Sequence, residues 1–132
     1  MTLHVELVVP AGEIWAGDAQ RVIAKTLDGD VGVLTGHTPV LGILAEGSVV
    51  RILPEDGQGT GEVLVAIGGG FLSVADDRVS VLARQAQLGT EVDRAGAQAS
   101  LDAATEAAGP GGEETADIRY FRALLRAAGD RS

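Results

Sequence analysis

The sequence predicts a mainly β protein with a smaller helical part, an N-terminal β-sandwich followed by a C-terminal αα-hairpin. Up to about residue 88, short apolar or alternating runs are separated by glycine- and aspartate-containing turns at roughly ten-residue spacing, which is typical of a sandwich. Beyond this point alanine becomes frequent and β-branched residues almost disappear, which favours helices. We therefore expect two domains, a sandwich over residues 1–88 and a helical hairpin over residues 89–132.

The clearest strand is expected at 3–9, where every second residue is apolar. Asp28-Gly29 predicts a tight turn, and the polar segment 55–61 predicts a hairpin loop. Further strands are expected from alternation or from apolar runs bounded by turn residues, at 13–17, 21–27, 31–34, 48–53, 62–67, 71–75 and 78–83. Their side chains are mostly aliphatic, so valine, leucine, isoleucine and alanine must build the core.

Two helices are expected in the C-terminal part. Thr90 and Asp93 have the spacing of a capping box for a helix over about 92–108, and the Gly-Pro-Gly-Gly segment 109–112 stops it. A second helix is expected over about 114–128. The predicted apolar positions are Val92, Ala95, Ala99 and Ala103 in the first helix and Ile118, Phe121, Leu125 and Ala128 in the second. Because alanine buries little area, we expect the hairpin to dock weakly on the sandwich and to be able to leave it.

Composition excludes several classes of function. A net charge of −9 argues against nucleic acid or an anionic lipid surface as the main partner. Without cysteine there are no disulfides and no cysteine-ligated metals. Asp76-Asp77 is more typical of a turn than of a metal site, and we expect neither a metal nor a cofactor. No apolar run approaches the roughly 20 residues that span a bilayer, so membrane association is expected only through partners.

The segment 28–41 reads Asp-Gly-Asp-Val-Gly-Val-Leu-Thr-Gly-His-Thr-Pro-Val-Leu, and the segment 69–74 reads Gly-Gly-Phe-Leu-Ser-Val. Together with the strand over 79–83 and the order of strands before helices, they resemble the ε subunit family of F-type ATP synthases. The compact C-terminal end, with several arginines, is similar to the shorter actinobacterial form. One departure is Thr35, which stands where this family usually has proline.

The resemblance implies a non-catalytic rotor subunit at the cytoplasmic face of the bacterial cell membrane, peripheral and held there by its partners. In that family the sandwich binds the γ subunit and sits on the ring of c subunits. The C-terminal hairpin can extend along γ toward the catalytic α and β subunits and block ATP hydrolysis. For the ring contact, the residues implied in this sequence are Asp30, Gly36 and His37.

Three arginines of the second helix, Arg119, Arg122 and Arg126, are spaced to lie on one face. This arginine stripe has two open interpretations: a solvated face that suits the helix dipole, or a basic surface for an acidic partner. The resemblance implies that the hairpin contacts γ and β. The residues expected to do so are Ile118, Arg119, Phe121, Arg122, Leu125 and Arg126.

An alternative function is a stand-alone ATP-sensing module. Some members of this family bind ATP through an Ile/Leu-Asp-x-x-Arg-Ala motif early in the first helix. Here Asp93 is present, but Gly96 stands at the arginine position, so we expect at most weak ATP binding through Asp93, Arg122 and Arg126. A general base needs a substrate pocket and an orienting partner, and the only carboxylates near His37 in the sequence are Asp28 and Asp30. A β-sandwich enzyme is disfavoured, because no nucleophile–base or carboxylate pair stands out.

Overall fold

The structure is a computed structural model that describes residues 2–54 and 62–129. The predicted hairpin loop at 55–61 lies outside these residues. The described elements are β1 (Leu3–Val9), β2 (Gly12–Thr26), β3 (Gly29–Val33), β4 (Val40–Leu44), β5 (Ser48–Pro54), β6 (Val63–Ile67), β7 (Gly70–Ala75), β8 (Arg78–Ala83), β9 (Ala86–Leu88), a 3-10 helix (Gly89–Glu91), α1 (Arg94–Ala108) and α2 (Ala116–Ala127).

The strands fold into a sandwich because the long strand β2 takes part in both layers. Its first half pairs antiparallel with β1, and its second half pairs with β3 and β5. From β1 the first layer continues through β8, β7 and β4, and from β5 the second layer continues through β6 and β9. Strand β1 runs parallel to β8, with Val5 opposite Val79. The predicted fold class is therefore confirmed.

Alternate strand residues fill the space between the layers, as the sequence pattern predicts. In β1 the buried residues are Leu3, Val5 and Leu7, while His4 and Glu6 remain partly exposed. The same alternation in the other strands makes one aliphatic core that includes Val22, Val33, Leu44, Val50, Ile52, Val65, Ile67, Leu72, Val74, Val79 and Val81.

The strand predictions are wrong in two respects. The separate strands expected at 13–17 and 21–27 are one strand, β2, which continues through Gly17 and Asp18 because its pairing partners change along its length. Strands β4 and β9 were not predicted. Gly42 interrupts the apolar pattern of β4, and a Cβ at this position would lie 3.2 Å from Cγ2 of Thr26.

The two predicted helices are present, but the first begins later than expected. Asp93, not Thr90, is the N-cap of α1, and its side chain accepts a hydrogen bond of 3.2 Å from the backbone N–H of Gly96. Thr90 lies in the preceding 3-10 helix. Thr115 caps α2 in the same way, by accepting from the N–H of Ile118.

The buried face of α1 also differs from the prediction. Ala95, Ala99 and Ala103 are exposed, while Ala97 is buried and Leu101 is half-buried. Helix α2 makes most of the contact with the sandwich, against β5 and β6. Its buried residues are Ile118, Tyr120, Ala123, Leu124, Leu125 and Ala127, whereas the predicted contacts Phe121 and Ala128 are only half-buried.

Candidate functional site

A tight turn follows β3 at one end of the sandwich. The N–H of His37 donates to the carbonyl of Leu34 at 3.2 Å, and Gly36 has a φ of 81°, as the third residue of a type II turn requires. The N–H of Gly36 donates to Oδ1 of Asp77 at 2.7 Å. Nδ1 of His37 lies 2.6 Å from the carbonyl oxygen of Thr38. The turn therefore presents His37 from a fixed backbone.

The structure brings together only two of the three residues expected at the ring contact. Gly36 and His37 share the turn beyond the C-terminal end of β3. Asp30 lies near the start of β3, opposite Lys25 in the strand register. It lines a cleft beside the helical hairpin, on the other end of the strand.

Thr35 is the second residue of this turn, where proline fits best because its fixed φ matches the turn. We expect Thr35→Pro to raise the free energy of unfolding by about 0.4–1 kcal/mol, because it restricts the unfolded chain. Urea unfolding followed by circular dichroism measures this, with Thr35→Ala as a control that should give no such gain. A loss of stability in Thr35→Pro would contradict the assigned turn.

A cleft of about 830 Å³ separates the N-terminal part of α2 from the sandwich. The three arginines of the stripe line it, together with Lys25, Asp30, Glu46, Arg51 and Glu114. Nη2 of Arg126 donates to the carbonyl of Gly47 at 2.8 Å, and Arg122 forms an ion pair with Glu114. Arg126 therefore contacts the sandwich and Arg122 is paired within the hairpin, while both side chains remain exposed.

Helix α2 approaches the sandwich closely at two glycines. A Cβ at Gly47, whose φ is 74°, would collide with Cβ of Arg119 and lie 2.6 Å from its carbonyl carbon. At the other end of α2, a Cβ at Gly89 would overlap the carbonyl oxygen of Ala127 and lie 2.7 Å from its carbonyl carbon. The docked position of the hairpin depends on the absence of side chains at both points.

Between these glycines, a small cluster joins the hairpin to the sandwich. It contains Ala66 of β6, Ala97 of α1 and several α2 residues, including Tyr120 and Leu124. Burial raises the pKa of the Tyr120 hydroxyl above its ordinary value. Because the buried neutral hydroxyl is favoured over the phenolate in the folded state, the fold keeps its full stability below about pH 10 and loses stability as the pH rises further and Tyr120 must ionise.

The outer face of β4, β7 and β8 carries an apolar row that was not among the sequence predictions. Ile43, Phe71 and Leu82 stand opposite one another in the strand register and are 52%, 51% and 49% exposed. Leu41 on the same face of β4 is 77% exposed. The signal in the sequence is the alternation in β7 and β8, where Leu72 and Val81 face the core and their neighbours must face outward. We call these four residues the apolar face.

Three further observations concern metal ligands, ATP and membranes. Among residues 2–54 and 62–129, no three His, Asp or Glu side chains are grouped closely enough to hold a metal ion. Asp93 caps α1 and does not line the cleft with Arg122 and Arg126. No helix in the described ranges is sufficiently long and apolar to cross a membrane.

Comparison with known proteins identifies the family. The family profile described as ATP synthase, Delta/Epsilon chain, beta-sandwich domain matches residues 2–89. The ATP synthase epsilon chain of Thermobifida fusca (strain YX) is 48% identical over 127 residues, which cover 96% of this chain and 91% of that one. The corresponding protein of Streptomyces griseus is 43% identical over 124 residues, covering 94% and 97% of the two chains.

The fold also recurs in solved structures. A chain of the Euglena gracilis mitochondrial ATP synthase, in a structure described as OSCP/F1/c-ring, superimposes with a TM-score of 0.76 at 22% identity and covers 96% of this chain and 81% of that one. A chain of the Tetrahymena thermophila central stalk and c-ring gives a TM-score of 0.55 at 18% identity, with coverages of 92% and 94%. These likenesses concern the fold, whereas the profile match and the sequence identities show that this chain belongs to the ATP synthase epsilon chain family.

Proposed function

We propose that this chain is the rotor subunit that couples γ to the c-ring and regulates ATP hydrolysis through its helical hairpin, at the cytoplasmic face of the bacterial cell membrane. Its family membership makes it a non-catalytic subunit of an ATP synthase. The observation that carries the coupling role is the apolar face, four of the large apolar side chains that the sandwich leaves exposed, grouped on the outer side of neighbouring strands. Such patches on soluble domains mark interaction sites.

We assign the apolar face to the γ subunit. Ile43, Phe71 and Leu82 form a row across three paired strands, so a single partner surface can cover them together. Leu41 extends the face toward the start of β4. This strand begins at Val40, three residues after the turn that ends at His37. A partner on this face therefore lies beside the turn that we propose contacts the ring. This adjacency suits a subunit that contacts the γ subunit and the c-ring at the same time.

We assign the ring contact to the Gly36–His37 turn, with Asp30 as a second contact from the other end of β3. Both positions belong to the segment that resembles the family signature. His37 is held by its own turn and has a ring nitrogen beside the Thr38 carbonyl. The turn is partly exposed and carries the polar side chains of Thr35 and His37, which suits contact with the polar loops of a c-ring.

The hairpin carries the regulatory part of the proposal. In the docked form, Arg126 donates to the Gly47 carbonyl of the sandwich and so stabilises docking, whereas the ion pair of Arg122 with Glu114 lies within the hairpin. When the hairpin extends, Arg126 is released from the sandwich, and both arginines can then face an acidic surface of the catalytic α and β subunits, beside the apolar residues that contact γ. Arg126 would then serve two competing states. Exposed pairs of this kind contribute only about 0.2–1 kcal/mol each, so neither state is strongly fixed by them.

The experiment adds the purified chain to an ATP synthase preparation from which the native epsilon chain has been removed. We expect the added chain to copurify with γ and to lower the rate of ATP hydrolysis. A chain that binds γ without changing hydrolysis would contradict the regulatory role. A chain that fails to bind γ would contradict the coupling role as well.

The stand-alone ATP-sensing module remains a second candidate, because the cleft carries the three arginines of the stripe. Their contacts weigh against it: Arg122 and Arg126 are engaged within the protein, and Asp93 acts as a helix cap. Gly96 also lacks the charge-assisted contact to phosphate, which is worth about 1.5–3 kcal/mol.

We therefore expect weak or undetectable ATP binding by isothermal titration calorimetry. The missing arginine contact corresponds to roughly a ten- to hundredfold loss of affinity. Arg122→Ala serves as the control, and any residual binding heat should fall in this variant if the cleft is the site. A dissociation constant in the low micromolar range would favour the sensor over the weak-binding prediction.

A further inference from the structure

The turn between β7 and β8 contains two consecutive residues in a backbone conformation that favours glycine. Asp76 has a φ of 51° and Asp77 a φ of 61°, and they join Ala75 and Arg78, which face each other in the register. Two-residue hairpin turns of this kind usually have glycine at the second position. An aspartate at position 77 therefore occupies a place where glycine would be less strained.

The side chain of Asp77 makes a long-range contact that explains this choice. Its Oδ1 accepts the 2.7 Å hydrogen bond from the N–H of Gly36, 41 residues earlier in the chain. Its backbone carbonyl accepts a second bond, of 2.9 Å, from the N–H of His4 at the start of β1. Within the described part of the chain, the side chain of Asp76 shows no comparable bond, although its backbone conformation is similar.

The bond to Gly36 supplies what the turn after β3 lacks. The turn's own hydrogen bond joins His37 to Leu34 and leaves the N–H of Gly36 without a partner inside the turn. The second position of the turn is Thr35, whose φ is not fixed by a proline ring. The Asp77 carboxylate therefore connects the centre of this turn to the β7–β8 hairpin.

We propose that Asp77 is a positioning residue, which fixes the Leu34–His37 turn and thereby the direction in which His37 is presented. The hydrogen bond between Asp77 and Gly36, and its effect on the turn, rest on the geometry alone. Its consequence for coupling rests on the proposed function of this turn as the ring contact. A carboxylate accepts a hydrogen bond from a backbone N–H more strongly than a neutral group does, which accounts for aspartate at this position.

The test compares three variants of the full chain. Asp77→Gly keeps the left-handed backbone but removes the acceptor, Asp77→Asn keeps an acceptor oxygen, and Asp76→Gly relieves the neighbouring strain without touching the contact. We expect Asp77→Gly to speed hydrogen exchange of the Gly36 amide by at least roughly tenfold and to shift its proton resonance upfield. Asp77→Asn should retain most of the protection, and Asp76→Gly should leave it unchanged.

The double variant Asp77→Gly with Thr35→Pro adds a rescue arm, because proline restores order to the turn by a different route. We expect it to recover part of the lost order at His37, measured by backbone relaxation of the His37 amide. Unchanged exchange at Gly36 in Asp77→Gly would overturn the inference, whatever the function of the turn. Equal loss of protection in Asp76→Gly would also overturn it, since the effect would then come from the hairpin backbone.

The functional arm measures proton-driven ATP synthesis in vesicles that contain the reconstituted complex. We expect His37→Ala and Asp77→Gly to reduce coupling several-fold. Asp77→Asn should retain most of the coupling, because it keeps an acceptor oxygen. Uncoupling by His37→Ala but not by Asp77→Gly would overturn the positioning role. Normal coupling in both variants, together with a loosened turn in Asp77→Gly, would overturn the proposed ring contact and leave the structural tie intact.

Discussion

A Gly89→Ala variant is expected to release the helical hairpin from the sandwich while the strands remain folded. Gly89 lies in the 3-10 helix that precedes α1, and its φ is one that alanine can adopt. The added Cβ would overlap the carbonyl oxygen of Ala127 and lie 3.3 Å from that of Leu64. Since both neighbours are backbone atoms, the C-terminal end of α2 has to move away from the sandwich.

The size of the effect follows from the cost of overpacking a close contact, typically about 1–3 kcal/mol. This corresponds to roughly a five- to hundredfold change in the ratio of docked to undocked hairpin. Gly47→Ala would disrupt docking as well, but its φ of 74° adds backbone strain to the collision. Gly89 is therefore the cleaner position at which to test docking.

The single tryptophan provides the measurement. Trp15 is half-buried and lines a groove of about 280 Å³ with Leu88, Gly89 and Ala127, so displacement of α2 opens this groove to water. We expect a red shift of its fluorescence and faster amide hydrogen exchange throughout α2. Gly32→Ala is the matched control, because its φ suits alanine and a Cβ there meets nothing within 4 Å. Equal behaviour of the two variants would contradict the docking contact.

In the assembled enzyme, the same variant tests regulation. If the extended hairpin inhibits hydrolysis, Gly89→Ala should lower the hydrolysis rate below that of the wild type by favouring extension. An unchanged rate, in a variant whose Trp15 fluorescence shows undocking, would contradict the regulatory proposal and leave the docking contact standing. A rise in the rate would contradict it too, since the undocked hairpin would then fail to inhibit.

The existence of the two helices follows from composition, whereas the buried face of α1 could not be predicted from it. Alanine occurs on several sides of this helix, so its hydrophobic pattern has no clear period. The predicted face of Ala95, Ala99 and Ala103 is exposed, and Ala97 is buried instead. In α2 the larger residues Ile118 and Leu125 define which face packs on the sandwich, and both are buried as expected.

The other features that could not be predicted from the sequence depend on contacts between residues that are distant in the chain. Strand β2 continues through Gly17 because β1 supports its first half and β5 its second, and neither partner is evident from the local pattern. The tie between Asp77 and Gly36 joins residues 41 positions apart and has no local signature beyond a turn-forming aspartate. Asp30 and His37 are close in sequence, but the intervening strand places them at different ends of β3.

The apolar face leads to the second large expected effect, on binding of the γ subunit. Phe71 stands at the centre of the row, between Ile43 and Leu82 in the register. Central aromatic residues that become fully desolvated are the usual hot spots of interfaces, and their loss costs about 2 kcal/mol or more. A carboxylate at this position would in addition be buried without a partner when γ binds.

We therefore expect Phe71→Glu to weaken binding of purified γ by at least roughly thirtyfold, measured as a dissociation constant in the absence of the c-ring. Phe71 is 51% exposed and faces outward, so the variant should keep the circular dichroism spectrum of the sandwich. Leu34→Glu is the matched control: Leu34 is 56% exposed and lies in the turn after β3, off the apolar face. The introduced charge is the same in both variants, and therefore a change in net charge alone would weaken both equally. Equal affinity of Phe71→Glu and the wild type would show that γ binds elsewhere on the sandwich.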